Sequence, residues 1–501
     1  MKAHRNNVFL TTGFLGYWND IKILRRMSTY CGVVKLDKTT TIRSEVEKFM
    51  EHEGLTLSDL GRKTGINVGS LSSIITGGRM MAVNQLDRIT EMMGFPEGHF
   101  YNLYIQDNRA ATQPNWRRLR PFILRCADLN KLDCIQEVTS WLLDNIVYCP
   151  VLFEAAEELL QAGKKEAAAI LYEGVAVTEH SQHSERLALC QYRLFLIRLG
   201  DDQAQNLEVA AQFEPYVERL DEVLQLDALK DLANVYRSLR KWDKVDKFAE
   251  MMGTRARRHY FAEHRQKRSG EDPYSKLSRP LFVYVAYSDL LRGTVSEERG
   301  RYEQALEFAS RYADLSWVKE RDEDTNHWKG LFQGWAKANF FVAKLFSGDL
   351  SVLNDYVNYF ERNKDEILLA LLNIVEVANT YKANVDGILS RFDSEIKFLG
   401  EQLEGTIIYD KRFKAERYSR LLNELSEYYL QKGENGVGFN YLLDSLQRSF
   451  IINNESIIIK SVSLFESFRE YAASETQAAY QILFSEVYQN EKNNRLVSSS
   501  R

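Results

Sequence analysis

"LTLSDLGRKTGINVGSLSSIITGGR", Leu55 to Arg79, is the stretch whose reading decides how the chain begins. Thr56, with Asp59 three residues later, reads as a capped helix start, and "LSDLGRKT" (57–64) as the short helix that follows. Gly65 ends that helix, since a sharp turn between crossing helices needs a left-handed residue and glycine enters that region at little cost. Ile66 plugs the angle, and Asn67 caps a further helix, Val68 to Thr76, with Leu71, Ile74 and Ile75 facing inward until Gly77-Gly78 stops it. Upstream, Ile42, Val46, Phe49 and Met50 give an earlier helix one buried stripe. Downstream, "VNQLDRITEMMG" (83–94) supplies a closing helix with Leu86, Ile89 and Met93 on its core face.

The chain has 501 residues, too many for one compact core, so two or more domains or a repeat array are expected. A formal net charge of −5 excludes a chain wrapped along its whole length on nucleic acid, so any such contact is local. The five cysteines include no C-x-x-C pair and are odd in number, which reads as reduced thiols of a cytoplasmic protein. No apolar run reaches about 18 residues, so no membrane-spanning helix is expected. "VFLTTGFLGYW" near the start is broken by threonines and lacks a small-residue cleavage site, which argues against a signal peptide. No proline occurs from Leu281 onward and no alternating strand pattern stands out, so the reading is all-α.

Past Pro114 a second pattern sets in. Helix-turn positions fall at Asn130, Gly163, Gly200, Arg240, Gly300, Gly348, Lys382 and Gly433. Three of the steps are 33, 37 and 34 residues, while those of 40, 60, 48 and 51 need insertions. The best instances are "LANVYRSLRKWDKV", with Leu232, Ala233, Tyr236 and Trp242, and "RGRYEQAL", with Gly300, Tyr302 and Ala305. Small residues let paired helices approach, large ones fill the gap to the next pair, and one pair cannot bury its own face, so pairs must stack.

Two resemblances follow from these residues. The register of Leu55-Thr56, Leu60, Gly65-Ile66, Asn67, Leu71-Ser72, Ile74, Gly77 and Arg79 resembles the lambda-repressor-like helix-turn-helix domains of the xenobiotic-response-element family. The spacing near 34 resembles the tetratricopeptide repeat over roughly 115–490. The expected organisation is an extension of unknown structure (1–40), a helix-turn-helix domain (41–108), a tetratricopeptide-like α-solenoid (109–490) and a tail (491–501). "PNWRRLRPF" (114–122) is expected to join head and array, with its arginines exposed or pairing across a dimer.

The combination resembles the peptide-pheromone-responsive transcriptional regulators of Gram-positive bacteria. That resemblance implies a homodimer, double-stranded DNA as one partner and a short peptide in the repeat groove as the other. In the head, Val68, Gly69, Ser70, Ser73 and Thr76 would face bases, Arg62, Lys63 and Arg79 would hold phosphates, and Asn67 opens the reading helix. None of the five base-facing residues makes a bidentate base contact, so readout would rest on methyls and hydroxyls. Leu57 stands where the family commonly has glutamine, and Gly61 where it has alanine, which loosens the helix by about 1 kcal/mol. From 35 to 80 seven Lys/Arg face six Asp/Glu, so this is no basic patch, and DNA binding is expected to be modest and salt-sensitive.

In the array, the inner positions of each pair's first helix place Lys230, Asn234, Asn339, Asn373, Glu376 and Asn423 toward a guest, with Asp227, Asp231, Gln191, Tyr287, Trp335, Arg420 and Glu427 beside them. Asn339 and Asn373 lie 34 residues apart, and a ladder of carboxamides suits an extended peptide because each offers a donor and an acceptor. "TRARRHYFAEHRQKRSG" (254–270) reads as a solvated loop. His180 and His183 lack a Cys or carboxylate at ligand spacing, so no metal is expected; no cofactor is implied, and no phosphate-cradling loop or catalytic set marks an enzyme. The competing expectation is a protein-interaction scaffold whose head no longer binds DNA.

Overall fold

The computed structural model describes residues 41–111, 113–180, 184–263, 274, 276–362, 366–399 and 411–485. The extension 1–40 with Cys31, His183, all of 264–273 and the chain from 486, including the tail from 491, lie outside the described residues. Among the described residues the structure is all-helical, with no strand. No helix is long and apolar enough to cross a membrane. The chain divides into two compact units between Leu142 and Leu143.

The first unit begins with α1 (Ile42–Glu53), α2 (Leu57–Thr64), α3 (Val68–Ile75) and α4 (Val83–Met92). Each start is set locally. The Thr56 hydroxyl accepts from the Asp59 amide at 3.2 Å while the Asp59 carboxylate accepts from the Thr56 amide at 3.1 Å, closing a capping box. The Asn67 side chain accepts from the Gly69 and Ser70 amides. Gly65 is left-handed, φ 67°, as the turn from α2 to α3 demands. Leu60, Leu71, Ile74, Leu86 and Ile89 are buried together, whereas Ile75 and Met93 are only half-buried.

Gly61 has a packing role that the sequence did not show. A β-carbon there would sit 2.9 Å from the Ile66 carbonyl oxygen and 3.0 Å from Val68 Cγ2. The glycine is what lets α2 lie against the turn that launches α3, and its helix-propensity cost is offset by that contact.

The same unit continues through α5 (Tyr101–Ala111), α6 (Trp116–Asp128) and α7 (Leu132–Leu142). Tyr101 donates to Asp87 at 2.9 Å, Tyr104 to the Met81 carbonyl at 3.0 Å, and Arg125 to Asp87 at 3.1 Å, so this second layer is tied to α4. The stretch expected as a connector is therefore largely helix α6, with Leu119 and Phe122 fully buried. The pair around Asn130, assigned to the array from sequence, packs in the first unit.

The second unit is a row of helix pairs: α8 (Cys149–Gln161) with α9 (Lys165–Thr178), α10 (Glu185–Arg198) with α11 (Gln203–Phe213), α12 (Leu224–Ser238) with α13 (Trp242–Glu263), and α14 (Leu281–Glu298) with α15 (Tyr302–Ala313). Then come α16 (Glu323–Phe346) with α17 (Leu353–Glu361), α18 (Ile367–Tyr381) with the short α19 (Asp386–Arg391) and α20 (Asp393–Leu399), and α21 (Lys411–Gln431) with α22 (Asn435–Ile451). α23 (Glu455–Phe468) and a last helical stretch, 474–485, end the described chain. The sequence-read turns at Asn130, Gly163, Arg240, Gly300, Gly348, Lys382 and Gly433 all have positive φ, which is the helix-ending conformation. Gly200 does not, and Asn453, φ 50°, is a left-handed turn that the spacing missed.

The insertion before α14 is also not a plain loop. Residues 254–263 extend α13, where Arg255 donates to Glu218 at 2.6 Å, Arg257 to Asp289 at 3.3 Å and Arg258 to Glu222 at 3.2 Å. Cys126, Cys134, Cys149 and Cys190 are buried and form no disulfide.

The row curls until its early turn meets its late one. The Gln203 amide donates to the Ile452 carbonyl at 2.8 Å, and the Asn454 carboxamide donates to Gln203 Oε1 at 2.7 Å. Both side chains are buried, so neither has water as a substitute partner. Replacing Gln203 by Leu should cost about 1–3 kcal/mol, since it strands the Asn454 donor. Hydrogen exchange should quicken over 200–213 and 449–460 first; uniform protection across the unit would contradict the clasp. Gly61→Ala should lose about 1–3 kcal/mol through overpacking despite the better helix former. Faster exchange over 57–75 is the expected readout.

Candidate functional site

Two surfaces carry the residues singled out from sequence, one in each unit. In the first, Arg62, Lys63, Asn67, Val68, Gly69, Thr76 and Arg79 are exposed and Ser70 and Ser73 half-buried, along α2, α3 and the turn after it. Part of that chemistry is used locally. Arg62 is ion-paired with Asp59, the Asn67 carboxamide is spent on capping, and the Thr76 hydroxyl donates to the Ser72 carbonyl at 2.8 Å. Sequence reading missed two cations: an Arg43 guanidinium nitrogen lies 2.7 Å from the ideal β-position of Gly77, and Arg88 reaches to 3.9 Å from that of Gly65. Both come from helices outside the quoted motif, so no local spacing announced them.

In the second unit the inner helices surround a cavity of about 580 Å³, within the roughly 300–1,000 Å³ of small-ligand sites. Each helix presents one stripe to it. Along α14 the stripe is Val283, Tyr287, Leu290, Thr294 and Glu297, a helical 3–4 spacing. α12 contributes Lys230, Asp231, Asn234 and Arg237; α16 contributes Trp328, Trp335 and Asn339; α18 contributes Asn373 and Glu376; α21 contributes Glu416 and Arg420.

Five of the six residues expected to meet a guest thus line one space. Asn423 does not. It is 1% exposed, and its amide donates to Ser461 at 2.8 Å, because α23 covers that face of α21. Of the companions, Tyr287, Trp335, Asp231 and Arg420 line the cavity, while Gln191, Asp227 and Glu427 are not part of its wall.

The three lining asparagines share one arrangement. Tyr287 donates to Asn234 Oδ1 at 2.5 Å, Asn339 Nδ2 donates to the Tyr312 hydroxyl at 2.7 Å, and Asn373 Nδ2 donates to the Tyr356 hydroxyl at 3.3 Å. A tyrosine anchors one end of each carboxamide, and the other end makes no hydrogen bond among the described residues.

The charges are organised in pairs. At the start of α12, Lys230 donates to Asp227 at 2.9 Å and to Ser278 at 2.7 Å, and lies 3.4 Å from Asp231. Its ammonium is therefore already held from three sides, which the sequence did not reveal. Burial pushes the Asp231 carboxyl up, against Lys230 and the Tyr192 hydroxyl. Arg279 bonds the Ser278 carbonyl and stacks on Trp328, 5.3 Å from the ring centre.

At the other end, Arg240 pairs with Glu298 at 2.6 Å and Arg420 with Glu376 at 3.0 Å. Burial raises Glu376 against the pull of Arg420. The Glu297 carboxyl makes no hydrogen bond among the described residues; burial and neighbouring Glu298 push it up to about 8, with Arg237 opposing. Among the described residues no cluster of His, Cys, Asp and Glu is arranged to hold a metal ion.

No protein-family model matches the chain, and no curated protein matches it.

Because Glu297 is protonated in the folded state up to about pH 8 and ionised in the unfolded chain from the ordinary carboxyl range, folding takes up a proton between those limits. Its contribution to stability is present at low pH and is lost as pH rises toward 8. Glu297→Gln should unfold at the same denaturant concentration as the parent near pH 4.5 and at a higher one at pH 8.5; equal midpoints at both would refute the raised carboxyl.

Proposed function

We propose that the chain is a DNA-binding transcriptional regulator whose second unit senses a short peptide. The observation that carries this reading is the convergence of Asn234, Asn339 and Asn373, from three separate helices, on one cavity with one carboxamide end of each unspent. A peptide backbone alternates donors and acceptors, and fixed carboxamides match it without reorganising. In this reading α2 and α3 form a lambda-repressor-like helix-turn-helix, the helix pairs are tetratricopeptide-like, and the protein works as a homodimer on operator DNA. Peptide binding acts by favouring one curvature of the helix row over another, which requires different affinities for the two.

The alternative, a protein-interaction scaffold with a head that binds no DNA, draws on the local engagement of Arg62, Asn67 and Thr76. Recovery of genomic DNA with the tagged full chain separates them: a regulator enriches a common sequence and a scaffold enriches none. Within the regulator reading, Arg79→Ala should weaken binding to all recovered fragments alike. It should also reduce the slope of log affinity against log salt by about one, as a lost phosphate contact does. Asn339→Ala and Asn373→Ala should each weaken a selected peptide about tenfold by calorimetry, the loss expected for one hydrogen bond to a buried partner.

A further inference from the structure

The stripe along α14 runs from Val283 to Glu297, about 21 Å at 1.5 Å per residue. An extended chain of roughly six residues has that length. At the Glu297 end the lining carboxylates are Glu297, Glu298, Glu376 and Glu416, against the guanidinium groups of Arg237, Arg240 and Arg420. Arg240 is taken by Glu298, and Arg420 by Glu376 with Glu416 within 3.8 Å. Glu416 is 4% exposed, and its Oε1 accepts no hydrogen bond although it borders the cavity. The other charged lining residues on α18 and α21, Glu366 and Arg417, have partners of their own. One carboxylate is thus in excess at this end, and a negative charge withdrawn from water without a partner is costly.

We propose that this end of the cavity is the receptor for a protonated amine of the guest, with Glu297 as its direct partner. The proposal rests on the peptide reading above and specifies the chemistry of that same site. A proton on Glu297 offsets that excess of negative charge, which its raised titration reflects. An arriving ammonium displaces that proton to water and forms an ion pair with a half-buried carboxylate, where such a pair is stronger than on an open surface. The groups facing Glu297 are Glu298 on its own helix, Arg237 from α12, and Tyr302 and Tyr312 from α15. On α13, Asp243 and Asp246 are drawn off by Arg299 and Arg292. At the far end Arg279, engaged by no carboxylate among the described residues, suits the opposite terminus of a zwitterionic peptide.

The test uses the full chain and two synthetic libraries of hexapeptides randomised at every position, one with free and one with acetylated amino termini. Retained peptides are identified by mass spectrometry and their affinities measured at pH 5.5, 6.5 and 7.5, with the parent and Glu297→Gln. The expected result is that free-amine peptides are retained at least tenfold over their acetylated forms. Their affinity should fall several-fold to tenfold for each pH unit below 7.5, and the variant should lose both the preference and the pH dependence. Acetylated peptides retained only when they carry Lys or Arg, again with loss in Glu297→Gln, would place the amine on a side chain and support the same receptor.

Equal retention of free and acetylated peptides irrespective of basic residues, with unchanged binding by Glu297→Gln, overturns the amine receptor while leaving peptide sensing intact. Retention of no peptide by the parent overturns the peptide reading itself. The stability profile of Glu297→Gln, measured beside these, shows whether the variant is folded.

Discussion

A helix in a row of pairs can give away only one stripe, because its other faces must bury apolar surface against its partner and the neighbouring pairs. That constraint fixes what the second unit is able to present. α14 shows it most clearly: Phe282, Tyr284, Val285, Ala286, Leu291 and Val295 are all buried, and the helix is apolar nearly all round. Such a helix is a central one, and the line Val283, Tyr287, Leu290, Thr294, Glu297 is what remains once its other sides are covered. The same subtraction on α12, α16, α18 and α21 leaves the rest of the cavity wall. The clasp of Gln203 to Ile452 and Asn454 matters because it brings residues 251 positions apart into hydrogen-bond contact, bounding how far the row opens.

Within that enclosure charges cannot be left to water. Lys230 is surrounded by Asp227, Asp231 and Ser278, and of the two arginine–glutamate pairs at the opposite end one joins the turn after α12 to α14 and the other joins α21 to α18. These cross-helix pairs are partly or wholly desolvated, so their net contribution to stability is small or negative. What they do well is fix the lateral position of one inner helix against the next, as two groups that must meet allow only one register. Arg420 illustrates it: its guanidinium joins α21 to α18, and Glu298 of α14 lies close enough to bias it.

Much of this was legible because turns are local. A left-handed residue after a helix is written in one position, and Asn130, Arg240 and Lys382 were recognised by their spacing from neighbouring glycines even though none is a glycine. Inner-face positions were legible where the spacing of helix turns stayed near 34 residues, as it does between Asn339 and Asn373, which both line the cavity. Asn423 occupies an equivalent position and is sealed, since whether an inner stripe stays open depends on which later helix lies across it, here α23. Gly61 failed for the opposite reason. Its cost is a property of one helix and readable, but its benefit is a 2.9 Å approach to a neighbouring carbonyl. Arg43 and Arg88, the capture of Lys230, and the extension of α13 all depend on distant chain segments as well.

The paired tyrosines bear on how the cavity can discriminate. A free asparagine side chain rotates, and ordering it on binding costs about 0.5–1.5 kcal/mol, comparable to the hydrogen bond it then makes. Tyr287, Tyr312 and Tyr356 hold that rotation in advance, which under the proposed peptide reading would let a guest keep more of each bond. The anchoring also fixes polarity. Tyr287 donates to the oxygen of Asn234, whereas Tyr312 and Tyr356 accept from the amide nitrogens of Asn339 and Asn373, and each carboxamide keeps further donor and acceptor capacity at a set place along the wall.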